Sequence, residues 1–149
     1  VDVGAPVLCN GGSYSATATG LAEGVHAIAA RASLGVELSA PSAALSVTVD
    51  RTFPAAPTIT GPTTPQSPVV LVAGGGGEIN AEVRVLEGVN QRCSTILAAP
   101  GTWSCSATLA GAGLHTLTAF QTDVAGNGGP DSATFDVTVT DAVYANGFE

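Results

Sequence analysis

Apolar residues fall at alternate positions along most of this chain, in short runs separated by glycine, proline and polar turns. A period of two turns one face of a β-strand inward and leaves the other in water. In residues 101–119, GTWSCSATLAGAGLHTLTA, the pattern reads strand, glycine-rich corner, strand. Residues 12–30, GSYSATATGLAEGVHAIAA, repeat it 89 positions upstream without a gap. Tyr14 falls on Trp103, Ser15 on Ser104, Val25 on Leu114, His26 on His115 and Ile28 on Leu117. With one inserted residue the match continues, placing Leu45, Val47 and Val49 on Phe135, Val137 and Val139. A period of about 90 residues is too long for a solenoid unit and fits a tandem β-sandwich array.

The elements follow from this pattern. Short strands are expected at 1–3 and 7–9, and Asn10-Gly11-Gly12 reads as a hairpin turn. Further strands are expected at 13–19, 25–32 and 43–49, with a corner at 20–24 and a loop at 34–42. The segment DRTFPAAP at 50–57 carries two prolines and reads as a short, stiff connection. Beyond it, strands are expected at 58–60, 69–73, 79–85 and 134–139, together with those of the organising stretch. The four glycines 74–77 read as a turn or bulge. The domain boundaries are then 1–50, a Pro-rich linker at 51–57, a second domain at 58–140 and a tail at 141–149. About seven strands in the second domain is the count of an immunoglobulin-like sandwich. The fold class expected is all-β: two tandem antiparallel sandwiches.

The two domains are unequal. Val1 and Val3 align with Val83 and Val85, so the first domain has no counterpart to residues 57–82 and lacks its first two strands. A domain of that size cannot close a two-sheet core, and its strands expose apolar faces and open edges. Either the missing strands belong to upstream sequence, or a neighbouring chain donates one. The tail offers Val143, Ala145 and Phe148 as a donor, and donation from head to tail builds a filament. Copies of the same chain, or neighbouring repeats, are the partners this implies.

Composition narrows the function. Only 11% of residues are charged, the formal net charge is −8, and no lysine is present. Such a chain cannot track a phosphate backbone, which excludes nucleic acid as a partner. It also excludes a P-loop or a Schiff-base lysine, and the glycine run at 74–77 lacks the helix such a loop needs. No apolar run approaches the roughly 18 residues of a spanning helix, so no membrane insertion is expected. Met is absent even at position 1, which reads as a processed or excised product.

The cysteines are Cys9, Cys93 and Cys105. If Ala98-Ala99-Pro100 is the turn of a hairpin, Cys93 lies opposite Cys105, within disulfide range. Two thiols without further ligands nearby make a poor metal pair, so a disulfide and an oxidising compartment are expected. Cys9 aligns with Cys93, but Ala16 stands where Cys105 would be. Cys9 is therefore a free thiol or an inter-chain link.

The segment GTWSCSATLAGAGLHTLTAFQTDVAGN resembles the hallmark of bacterial immunoglobulin-like repeats in large secreted adhesins and biofilm proteins. Trp103, Ser104, Gly113, His115 and the run from Asp123 to Asn127, DVAGN, carry the likeness. The first domain keeps Tyr14, Ser15, Gly24 and His26, and SAPSAALSVTVD at 39–50 fits the closing strand and linker. The resemblance implies an extracellular spacer or adhesive architecture. In such repeats the aspartate of D-x-A-G-N can help hold Ca²⁺, which marks Asp123, Asn127 and Asp141 as a weak candidate set. Ca²⁺ wants six to eight oxygens, and the reading preferred here is that Asp123 caps a turn, with Gly126 and Asn127 in left-handed positions. No cofactor or metal is expected.

His26 and His115 share a repeat position and a face with Ile28 or Leu117, which marks packed structural histidines rather than catalytic ones. Neither has a nucleophile and orienting acid at motif spacing. Trp103 and Tyr14 would form a sugar platform if exposed, but matched positions in both repeats favour the core. The reading is a non-enzymatic, extracellular structural or adhesive protein of a bacterial surface adhesin or filament. The alternative is an accessory carbohydrate-binding module cut from a secreted hydrolase.

Overall fold

The computed structural model describes residues 4–140; the tail at 141–149, with its donor residues Val143, Ala145 and Phe148, and residues 1–3 lie outside the described residues. Every regular element is a β-strand, and every ladder between strands is antiparallel. The chain divides into two compact units between Arg51 and Thr52.

The second unit carries seven strands in two sheets. β5 (Thr58–Gly61), β6 (Val69–Gly77) and β9 (Gly101–Thr108) form one sheet in the order β5-β6-β9. β7 (Glu82–Glu87), β8 (Asn90–Ile96), β10 (Gly113–Thr122) and β11 (Phe135–Val139) form the other, in the order β11-β10-β7-β8. Alternation sets the inward residues of each strand: Val70 and Val72, Val83 and Val85, Trp103, Cys105 and Ala107, Leu117 and Ala119, Val137 and Val139. Together with Leu97 and Leu109 they make one buried cluster. Two amphipathic sheets burying their apolar faces on each other is a β-sandwich.

Several features depart from the sequence pattern. The glycines 74–77, expected as a turn or bulge, form the bulge, but inside a longer strand: they continue β6, with a shift of register between Gly74 and Gly77. Gly74 sits directly opposite Trp103, and a Cβ there would collide with the indole ring and with the Thr58 carbonyl. Small residues here let a large aromatic lie flat on the sheet. β7 begins at Glu82, because Asn80 takes a left-handed turn conformation (φ 60°) and leaves Ile79 in solvent.

The segment between Cys93 and Cys105 is not a hairpin. β8 pairs with β7 and β9 with β6, so the chain crosses from one sheet to the other at residues 97–100. Each strand already has a ladder partner in its own sheet, and the amide of Leu97 donates to Ala81 O, holding the end of β8 to β7. Pro100, lacking an N–H, suits a crossing better than a ladder.

The first unit is thinner. β1 (Gly24–Ile28) pairs with β4 (Leu45–Val49), and β2 (Ser33–Leu34) pairs with β3 (Glu37–Leu38) across Gly35. The expected loop at 34–42 thus contains a small hairpin. Residues 7–9 and 13–19, expected as strands, form none; an isolated Asn10–Ser13 bridge is the ordered feature before β1. Strands need neighbours for their backbone groups, and no neighbouring strand exists there among the described residues. No described residue of this unit is fully buried.

Candidate functional site

The repeat is visible as geometry. β1 and β4 pair Gly24 with Val49, His26 with Val47 and Ile28 with Leu45. β10 and β11 pair Gly113 with Val139, His115 with Val137 and Leu117 with Phe135. The registers are the same under the repeat alignment. Each histidine also bonds through Nε2 to the carbonyl four residues earlier: His26 to Ala22 O at 2.8 Å, His115 to Gly111 O at 3.2 Å. These contacts tie each corner to the strand that follows it.

In the second unit this histidine anchors a cluster of polar side chains. His115 lies at an inward position and is 8% exposed. Its Nδ1 meets Glu87 Oε1 at 2.7 Å, and Arg92 donates from Nε to Glu87 Oε2 at 2.8 Å. Both ring nitrogens lie within hydrogen-bond reach of an oxygen, Nδ1 of the Glu87 carboxylate and Nε2 of the Gly111 carbonyl. The hydrogen bond from His115, with help from Arg92, holds the Glu87 carboxyl below the usual glutamate range. Sequence reasoning named His115 but missed Glu87 and Arg92, because β7 and β8 bring them to it only through cross-strand pairing.

Gln121 is a third missed residue. It is fully buried on β10, where alternation predicts an apolar side chain. Its Oε1 accepts from the Glu78 amide at 3.0 Å, and its Nε2 donates to Ala55 O at 2.7 Å and Gly76 O at 3.1 Å. One amide thereby ties the glycine bulge of β6 to the segment entering β5. Pro54 and Pro57 are buried beside it, so this end of the connecting segment is built into the second unit.

The candidate Ca²⁺ residues are engaged with each other. Asp123 Oδ1 accepts from the Asn127 amide and Oδ2 from Asn127 Nδ2, both at 2.8 Å. The Asn127 side chain and the amides of the turn hold the Asp123 carboxyl below its ordinary value. Gly126 is left-handed (φ 92°), but Asn127 is not, which corrects the expectation for that pair. Asp141 lies outside the described residues. No group of three or more possible metal-ligating side chains occurs among the described residues.

Cys93 and Cys105 are joined, with Cα atoms 5.9 Å apart. Cys93 lies opposite Val85 and Cys105 opposite Val72, so the bridge links the two sheets rather than two strands of one hairpin. Cys9 is free and exposed. Trp103 is 5% exposed and donates from Nε1 to Gly75 O at 3.1 Å. Tyr14 is 61% exposed, against the expectation that both aromatics fill a core. No sheet covers it among the described residues of its own unit.

No family model matches this chain, and no curated protein matches it. Among solved structures it is similar to one titled "Biofilm associated protein - BSP domain", at 22% identity and a TM-score of 0.41. The alignment covers 95% of this chain and 23% of that one, so the chain spans less than a quarter of its length.

Proposed function

We propose that this chain is a non-enzymatic structural or adhesive part of a secreted bacterial surface protein, built from tandem immunoglobulin-like sandwiches. One observation carries the reading: a single strand pair recurs with the same register and the same histidine-to-carbonyl tie. Duplicating a sandwich is a way to build length, and this duplication preserves packing positions rather than a reactive constellation. His115, Gln121 and Ser132, the buried polar side chains among the described residues of the second unit, hold a corner, a bulge and the segment leading into β11. The inter-sheet cystine fits assembly in an oxidising compartment outside the cytoplasm.

The partners we propose are further copies of the chain, joined by strand pairing at the open first unit, with Val143, Ala145 and Phe148 of the tail as donor residues. A carbohydrate-binding role would draw on exposed aromatics; Tyr14 is exposed, but Trp103, its counterpart in the repeat, is spent on the core and on Gly75. Displaying the chain on a non-adherent bacterium tests the reading. Increased attachment or cell–cell clumping supports it. Saturable, selective binding to a soluble glycan would instead favour the carbohydrate module. Sedimentation of the full chain and of a form lacking residues 141–149 tests self-association. Assembly that survives the deletion sinks tail donation.

A further inference from the structure

The second unit shows what the inner face of the first is shaped to meet. His115, Leu117, Val137 and Val139 are buried in the second unit, the last three in one cluster with Val70 and Val72 of β6. His26, Ile28, Val47 and Val49 take the same places in the first unit, in the same register, yet are only half-buried. Residues 13–19 align with β9, the strand that β6 pairs with, and they form no strand. Among the described residues the first unit therefore holds the β1-β4 pair, the small β2-β3 hairpin and, where the second sheet belongs, a length of chain that is in no strand.

We propose that the first unit is an acceptor for a β-strand of the β6 type, which pairs antiparallel with residues 13–19 and closes a second sheet over β1 and β4. This rests on the tandem-sandwich reading and deepens it by giving the occupant's chemistry. Register supplies that chemistry. β6 sets Val70 against Ala107, Val72 against Cys105 and Gly74 against Trp103. Shifted by the repeat, the occupant places small apolar side chains opposite Ala18 and Ala16, and glycine opposite Tyr14. The glycine is a steric requirement, because a Cβ at Gly74 would enter the Trp103 ring. Tyr14 now stands in solvent and would lie over that glycine as Trp103 lies over Gly74. Neither β6 nor residues 12–20, GSYSATATG, carry a charged side chain, so pairing brings no like charges together. The completed edge would have its backbone groups satisfied, as unpaired strand edges require.

The test keeps the full chain and joins a second copy of residues 58–82 directly ahead of Val1, the position that aligns with Val83. Amide hydrogen exchange is read at residues 13–19, and the accessibility of Tyr14 by oxidative footprinting. Exchange there is expected to slow by at least about 100-fold, as when a frayed segment joins a cooperative unit, with Tyr14 protected. A second form carries valine in place of the glycine that copies Gly74. It is expected to leave exchange within about 3-fold of the parent chain, a difference too small for strand formation. Unchanged exchange with the first graft overturns the proposal. Equal protection by both grafts overturns the register that places glycine opposite Tyr14. Neither result depends on surface attachment, so the adhesive reading stands or falls separately.

Discussion

Gly74→Ala is the substitution whose cost follows most directly from the structure. The new methyl group would stand 2.5 Å from Trp103 Cε2 and closer still to Cζ2 and the Thr58 carbonyl oxygen. Two of the three obstacles belong to a buried indole and the third to backbone, so no flexible chain end can swing aside. Overpacking of a dense core costs roughly 1–3 kcal/mol, and lifting the indole also strains its bond to Gly75 O. We expect a loss of about 3 kcal/mol from the second unit. For a domain of this size each kcal/mol shifts the melting point by roughly 4–8 °C, so Tm should fall by about 12–24 °C. Trp103 is the single tryptophan of the chain and lies in the second unit, so its fluorescence follows that unit alone. Gly75→Ala is the control: its methyl group meets only Thr58 Oγ1, at 3.4 Å. It should change stability by less than about 1 kcal/mol, a surface-like effect. In a Trp103→Ala background the cost of Gly74→Ala should shrink, because the ring it strikes is gone. If Gly74→Ala unfolds within 2 °C or so of the parent, or Gly75→Ala is equally damaging, the packing argument is wrong.

Replacing both Cys93 and Cys105 with alanine should destabilise the second unit by about 2–5 kcal/mol, since it frees the loop between the sheets; recovery of both as alkylatable thiols from native protein would refute the bridge. Acid should weaken this unit through Glu87. Its folded carboxyl is held below the ordinary value by His115 and Arg92, so its stabilisation is complete above about pH 4.3 and is lost as pH falls through the folded value. Glu87→Gln should therefore flatten the dependence of Tm on pH below about 4.5, and an unchanged slope would remove Glu87 as a cause. Asp123→Ala should lower Tm by opening its turn, while EGTA should move Tm by less than about 1 °C. A large EGTA effect reversed by Ca²⁺ would instead point to a site at Asp123, Asn127 and Asp141.

Much of this architecture was legible in the order of residues. Alternation at Trp103-Cys105-Ala107 and His115-Leu117-Ala119 marks strands because side chains on a strand leave alternately to either face. The 89-residue repeat carries over into register, since a slip of one would turn His26 and Val47 to the wrong face. What the order of residues could not decide is which strand lies beside which. Residues 93–105 carry the marks of a hairpin, yet β8 and β9 belong to different sheets because β7 and β6 claim their edges. The glycines 74–77 read as a turn or bulge, and only the placement of Trp103 across the ladder shows why a strand there must lack a side chain at Gly74. Glu87 and Arg92 gain their meaning from His115, and Gln121 from Ala55 and Gly76, through contacts made by folding. Residues 13–19 make the same point in reverse. Their pattern is that of β9, but a strand is a shared structure, and with no partner strand among the described residues the pattern stays unexpressed.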